Sequence, residues 1–318
     1  MCNEIPMISV ILCTYNRKCF LSRSIESILA QTYTNFELIL VNNGSTDGSD
    51  EVCEEYAKKD SRIRLIHISE NQGASNGRNV GLDNASCEYV TIVDDDDYCE
   101  PQLLAFLWDL ISENGADISI CGSWNDFDGN LEPYFIFDEY KVYNKLQGID
   151  ELLKREKYNT APPTKLFRKT LFNNIRFPDN VLVDDIHVVY RVFANANKIV
   201  VRGKPLYRFT KHASNMTRFI QTEQLSPQLL SEYLYAFQTR TEYLSKKVPE
   251  IRDHARYSEW SYMVSMCEKI KKNQLTNCYS IYNFMIKELQ NNISDLLNSQ
   301  YLTYREINII KNTLKICE

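Results

Sequence analysis

The chain has 318 residues, a formal net charge of −6, and 44% hydrophobic and 25% charged residues. That profile supports a sizeable buried core and excludes a disordered, low-hydrophobicity chain. The acidic balance offers no bulk basic field for nucleic acid, and no stretch approaches the ~20 apolar residues of a membrane span.

The first 120 residues alternate between short apolar runs and segments with helical spacing. "ISVILC" (8–13) predicts a strand buried on both faces, and "SRSIESILAQ" (22–31) a helix with Ile25, Ile28 and Leu29 on one side. "FELILV" (36–41) is the next strand and "SDEVCEEYAKK" (49–59) the next helix, with Val52 and Tyr56 inward. A strand at "IRLIHI" (63–68), a helix at "ASNGRNVGLDNA" (74–85) and a strand at "EYVTIV" (88–93) follow. Pro101 stands at the first turn of a helix over 101–114, before a strand at "DISICG" (117–122). Strand and helix alternating through short links predict an α/β sheet with helices on its faces. From 123 to about 220 the pattern is less regular and rich in aromatics and prolines. Beyond about 225 helical spacing dominates, as in Leu229, Leu230, Tyr233, Leu234 and Phe237, and glycine is absent.

The run "EYVTIVDDDDYCEP" ends an apolar strand in four consecutive aspartates, Asp94 to Asp97. Adjacent like charges repel by about 1 kcal/mol per pair in water and by more in less polar surroundings. Helix capping ahead of Pro101 accounts for Asp97 but not for the run. A divalent cation with hard oxygen ligands accounts for all of it. Mg²⁺ or Mn²⁺ suits the composition better than zinc, because no cysteine or paired histidine ligands lie nearby. The ten cysteines are scattered, without CxxC pairs or zinc spacing, which fits free thiols in a reducing compartment. "MCNEIPMISVIL" has no basic region before its apolar stretch, so it does not read as a signal peptide. The expectation is a soluble, cytoplasmic chain.

Open α/β sheets bind ligands at the carboxyl ends of their strands. "TYNR", "NNGSTDGS" and the aspartates all fall at such ends. The "NNGSTDGS" turn contains neither GxGxxG nor GxxxxGK[ST], so a helix-capped turn and a phosphate loop are both open readings. Arg78 is either a surface residue or one held near the acidic run, a base or a phosphate. Asp184 and Asp185 are candidate helix caps, or one of them a general base. His212 is one of only four histidines.

Taken together, "ISVILCTYNR", "FELILVNNGSTDGS", "NQGASNGRNVGL", "YVTIVDDDDY", "PTKLFRKTLF" and "FPDNVLVDDIHVVYRV" resemble family 2 inverting glycosyltransferases of GT-A fold, over residues 7 to about 218. The resemblance implies a Rossmann-like mixed sheet with helices on both faces over 1–222, and a helical appendage over 223–318. Within the first region it implies a nucleotide-binding half, about 1–122, and an acceptor half, about 123–222. Position by position, it places Cys13, Tyr15, Asn42, Arg78, Asp94 and Asp95 at the nucleotide. Asp94, Asp96 and His212 fall on the metal, Mn²⁺ or Mg²⁺, and Asp185 is the catalytic base. One departure stands out: the family's usual aspartate pair before "GS" is Asn42 and Asn43 here. An amide brings donors as well as acceptors to a base, and UDP remains the expected nucleotide.

The implied activity moves a hexose from a UDP-sugar to a hydroxyl of a saccharide acceptor, lipid-linked, in bacterial surface polysaccharide (O-antigen or capsule) synthesis. The tail lysines Lys246, Lys247, Lys269, Lys271 and Lys272, with Trp260 and Tyr262, are candidates for a peripheral membrane contact. A solvated face over a packed core is the plainer reading, and pairing of subunits through these helices is a third. A sugar-phosphate nucleotidyltransferase would carry a glycine- and arginine-rich first loop, which "CTYNRKCF" lacks. A non-catalytic sugar-binding relative would not need Asp94, Asp96 and Asp185 intact.

Overall fold

"ISVILC" folds as a strand, β1 (Ile8–Thr14), with Ile8, Val10, Ile11 and Leu12 fully buried. Such a run suits the middle of a sheet covered on both faces. The computed structural model describes residues 8–215 and 225–314. The chain divides into two compact units, residues 1–212 and 213–318. The boundary expected at 222/223 lies outside the described residues.

In the first unit the predicted order appears within a few residues of each expected bound. After β1 come α1 (Lys18–Leu29), β2 (Phe36–Asn43), α2 (Ser49–Lys59), β3 (Ile63–Ile68), α3 (Gly73–Asn84), β4 (Tyr89–Asp94) and α4 (Leu103–Asn114). A two-residue strand, β5 (Tyr98–Cys99), precedes α4. β3, β2, β1 and β4 lie side by side and parallel.

Beyond α4 the sheet becomes mixed. β6 (Ile118–Phe127) does not lie against β4, because β9 (Lys165–Arg168) inserts antiparallel between them. β7 (Asn130–Phe135) and β8 (Phe137–Asn144) add antiparallel edges to β6 and β10. α5 (Lys145–Lys154) and α6 (Asp185–Asn195) flank them, and β10 (Lys198–Thr210) runs parallel to β6. The halves expected on either side of residue 122 therefore share one sheet, and β6 runs straight across that point.

α3 is only weakly amphipathic, and glycine is what seats it. A Cβ on Gly77 would stand 2.0 Å from Cys13 Sγ, and one on Gly81 would stand 2.3 Å from Ile11 Cγ2. Without those side chains the helix backbone lies directly on β1.

The second unit is helical: α7 (Pro227–Lys247), α8 (Arg252–Lys272), α9 (Tyr279–Asn291), α10 (Ile293–Leu297) and α11 (Tyr304–Leu314). Ser226 caps α7 by accepting from the Leu229 backbone N–H at 3.1 Å, with Pro227 in the first turn. Serine before proline is a strong start signal for a helix. The aromatics offered for a membrane contact are used inside this unit. Trp260 is 6% exposed, and Tyr262 stacks on Phe237 and Tyr233 with centroids at 4.6 and 5.8 Å. Tyr262 thus packs α8 on α7 and Trp260 is buried, in keeping with the plainer reading of a packed helical core. None of the helices among the described residues is long and apolar enough to cross a membrane.

Candidate active site

Three loops meet at the carboxyl edge of β1, β2 and β4, where Thr14 pairs with Asn42 and Cys13 with Asp94. The first two are laced together by hydrogen bonds. Asn16 N–H donates to Ser45 Oγ at 3.1 Å, and Asn16 Oδ1 accepts from Thr46 N–H at 2.8 Å. Arg17 N–H donates to Ser49 Oγ at 3.0 Å and Lys18 N–H to Asp47 Oδ2 at 3.1 Å. Asn16 sits at φ +52° to make these contacts, a left-handed conformation that asparagine tolerates better than most residues. Against the opposing effect of burial, the donors from Ser49 and Lys18 hold the Asp47 carboxyl below its usual range. Tyr15, 40% exposed, presents its ring from this loop. The Cys13 thiol lies under α3 at Gly77, and burial, followed by the Asp95 charge, pushes it up to about 12.

The two amides before "GS" are buried and engaged. Asn42 Oδ1 accepts from Ser45 N–H at 3.2 Å, and its Nδ2 lies 3.2 Å from His67 Nδ1. Asn43 donates to Asn71 Oδ1 at 3.1 Å and to the Gly73 carbonyl at 2.9 Å, and accepts from Gln72 N–H at 3.2 Å. A carboxylate at position 43 could not donate. The amide there holds the 71–73 turn that starts α3.

Arg78 resolves between its two readings. Its guanidinium, 16% exposed, bonds Asp94 Oδ1 at 3.0 Å and Asp184 Oδ1 on the other side. Ser75 Oγ also donates to Asp184, at 3.2 Å. The arginine on α3 thus ties the aspartate run to the acidic pair. Asp184 stands at the start of α6 yet makes no side-chain cap, so the capping reading of this residue does not hold.

The four aspartates are used differently. Burial, followed by the Asp96 charge, pushes Asp95 up to about 7, although Arg17 lies 3.8 Å away. Burial raises Asp94 as well, with Arg78 opposing. Asp96 Oδ2 sits 2.9 Å from His212 Nε2, and the imidazole stacks on Phe20 with centroids at 4.3 Å. Asp97 is not the helix cap expected from sequence. It is 3% exposed and accepts from Tyr207 Oη and Thr210 N–H, both at 2.8 Å. Tyr207 Oη in turn accepts from Asp94 N–H at 3.2 Å. Asp97 and Tyr207 therefore anchor the end of β10, two residues before His212, to the aspartate turn. Sequence gave no signal for Tyr207; its role depends on β10 lying beside β5.

Asp185 opens α6. Its Oδ2 accepts from Thr160 Oγ1 at 3.3 Å, and its Oδ1 is buried without a hydrogen-bond partner. Burial, followed by the adjacent Asp184, pushes this carboxyl up to about 6, while Arg78, the Ile186 N–H and Arg155 act the other way.

Asp96 and His212 are already in contact, and the carboxyl groups around them are held above their usual range by burial and mutual repulsion. A divalent cation would relieve that repulsion, so the donor set fits Mn²⁺ or Mg²⁺. Asp94, the third expected ligand, is turned to Arg78. Among the described residues no three His, Cys, Asp or Glu side chains are gathered as a preformed metal cage.

The comparisons with known proteins agree with this architecture. The profile of "Glycosyl transferase family 2" matches residues 9–176. Glycosyltransferase GlyG of Streptococcus pneumoniae is 34% identical over 222 residues, covering 67% of this chain and 73% of that protein. A crystal structure of S. aureus TarS 1–349 with UDP-GlcNAc superposes with a TM-score of 0.66 at 23% identity, covering 96% of this chain and 81% of that one. The mannosyltransferase PcManGT of Pyrobaculum calidifontis, in complex with GDP-Man and Mn²⁺, gives a TM-score of 0.61 at 13% identity, covering 98% and 80%. Both structural likenesses speak for the fold. With the profile spanning over half of its length and GlyG similar across most of both chains, this chain belongs to glycosyl transferase family 2 and is a glycosyltransferase.

Proposed function

We propose that this glycosyltransferase moves a hexose from a UDP-sugar to a hydroxyl of a lipid-linked saccharide, with inversion and with divalent-metal dependence, in bacterial surface polysaccharide synthesis at the inner face of the cytoplasmic membrane. The observation that carries the reading is the Arg78 bridge. One guanidinium links Asp94, in the aspartate run, to Asp184, next to Asp185. The residues assigned to the donor and the residue assigned to the acceptor are thereby set in one frame.

In this reading the laced first two loops and Tyr15 hold the nucleotide, with Asp94 and Asp95 beside its ribose. Asp94, Asp96 and His212 would hold the metal, which would supply positive charge to offset the negative charge developing on the departing diphosphate. Asp185 accepts the proton of the acceptor hydroxyl as that oxygen bonds to the anomeric carbon. The bond from that carbon to the diphosphate oxygen breaks, and its electron pair leaves with UDP. A single in-line displacement inverts the centre and needs no covalent enzyme intermediate. A carboxyl pushed up to about 6 is a stronger base than an ordinary aspartate yet remains ionised at neutral pH. TarS in complex with UDP-GlcNAc and PcManGT in complex with GDP-Man and Mn²⁺ share the fold, which supports the donor class and the metal.

A thermal-shift and calorimetric screen of UDP, GDP, dTDP and their sugars, with and without Mn²⁺, tests the donor side. UDP and UDP-sugars should stabilise the chain, and only with the cation. Preference for GDP, or equal response without metal, overturns that part. Asp185→Asn should abolish transfer and leave UDP affinity within a few-fold; full activity in that variant removes the base assignment.

A further inference from the structure

The neighbourhood of Asp185 contains a lysine that the reaction as described does not use. Lys165, on β9, has 0% exposure, rare for lysine. Its Nζ donates to the Ala161 carbonyl at 2.6 Å and reaches Thr164 Oγ1 at 3.4 Å. Burial pushes the ammonium down to about 7, against the fields of Cys121 and Asp185. The segment it grips is constrained. Ala161 N–H donates to Asn159 Oδ1 at 3.0 Å, and Thr164 adopts φ +75°. A β-branched residue in that region is strained, and such strain persists where the surroundings over-determine it. Thr160 lies inside the turn closed by the Asn159–Ala161 hydrogen bond, and its hydroxyl donates to Asp185 Oδ2.

We propose that Lys165 and Thr160 are positioning residues for Asp185. The buried lysine clamps the Ala161 carbonyl and fixes Thr160, whose hydroxyl occupies Oδ2 and leaves Oδ1 as the oxygen that takes the acceptor's proton. The inference rests on the reading of Asp185 as the base. The charged groups facing that carboxyl are Asp184 beside it, Arg78 from α3, Arg155 after α5 and Lys165 from β9. Each of them stays in place when only Thr160 is changed. The hydroxyl favours the ionised carboxylate, and its loss moves the titration upward.

The test uses the full chain labelled with ¹³C-carboxyl aspartate. The difference between parent and Asp185→Asn spectra identifies the Asp185 resonance, which is followed from pH 4 to 8. The parent midpoint is expected at about 6. Thr160→Val should raise it by about half a pH unit or more, and Thr160→Ser should leave it within about 0.2. Lys165→Met should raise the midpoint in the parent but by clearly less in a Thr160→Val background, where no hydroxyl is left to position. A lysine acting through its charge alone would raise it equally in both backgrounds, which would overturn the positioning role, and a purely structural lysine would lower the melting temperature without moving the midpoint. An unchanged midpoint in Thr160→Val overturns the proposal, and this near-isosteric variant decides the matter should Lys165→Met fail to fold. An unchanged midpoint in a folded Lys165→Met overturns the lysine's part. Transfer activity surviving in Asp185→Asn would remove the base assignment while leaving these titrations as measured, so the two failures are distinguishable.

Discussion

Replacing Arg78 by methionine keeps most of the side-chain length and removes the charge that two carboxylates share. The guanidinium and its partners Asp94 and Asp184 have side chains 16%, 33% and 9% exposed. A hydrogen bond to a charged group contributes about 1.5–3 kcal/mol. Removing one partner of a buried pair costs about 3–5 kcal/mol, because the remaining charge is left uncompensated. Since Asp94 is a third open to solvent, about 3–4 kcal/mol is the expected loss at pH 7.5, within that range. For a unit of this size that lowers the melting temperature by roughly 6–16 °C.

The loss must depend on pH. Burial already holds the Asp94 carboxyl above its usual range with the arginine present, and without it the carboxyl rises further. Between the unfolded and folded values the folded chain binds more protons, so acidification favours folding. At pH 5 the penalty should therefore fall to less than half. The assay is near-ultraviolet circular dichroism melting of parent and variant in EDTA at pH 7.5 and 5.0. A decrease under about 2 °C at pH 7.5, or equal decreases at both pH values, would refute the bridge as an electrostatic element. Arg78→Lys should recover less than half, because an ammonium cannot span both carboxylates as a planar fork does.

Transfer activity should show an acid limb centred near pH 6, the value to which Asp185 is raised. The same shift disfavours folding as pH rises from the ordinary aspartate range to about 6, so activity and apo stability should change in opposite directions there; a flat rate down to pH 5 contradicts the assignment. Asp96→Ala and His212→Ala should each weaken Mn²⁺-dependent UDP binding at least ~10-fold in calorimetry while leaving the metal-free melting temperature close to the parent's. Equal titrations for parent and variants would count against the ligand set. Gly77→Ala should cost about 1–3 kcal/mol through overpacking, because the new Cβ meets Cys13 Sγ at 2.0 Å. Adding Cys13→Ala should restore most of the loss, and no recovery would place the conflict elsewhere.

Much of the first unit was legible because its strands are continuous apolar runs and its links are short. The β-strand and helix sequence from Ile8 to Asn114 follows the pattern closely. The aspartate run was legible as a site because charge at the end of a buried strand needs a reason. Asp97 was misread as a cap: local sequence shows the following proline, but not Tyr207 and Thr210, which arrive more than 100 residues later. Arg78 could not be decided from sequence, since its partners Asp94 and Asp184 flank it at separations of 16 and 106 residues. β9 falls in "PTKLFRKTLF", which the resemblance marks but local pattern does not identify as a strand. Four residues give little periodicity, and antiparallel insertion between β4 and β6 is a property of the whole sheet. The aromatics of the tail were ambiguous because helical spacing does not tell which ring a neighbouring helix covers; Tyr262 on Phe237 settles it.

β9 is a late segment of chain hydrogen-bonded between two early ones. A hybrid enzyme made by cutting near residue 122 and grafting a relative's second half would import a foreign strand into the middle of the host's sheet. It would also split β6 within its own length. Segments exchanged among relatives should therefore leave the central strands intact, inherited as a block.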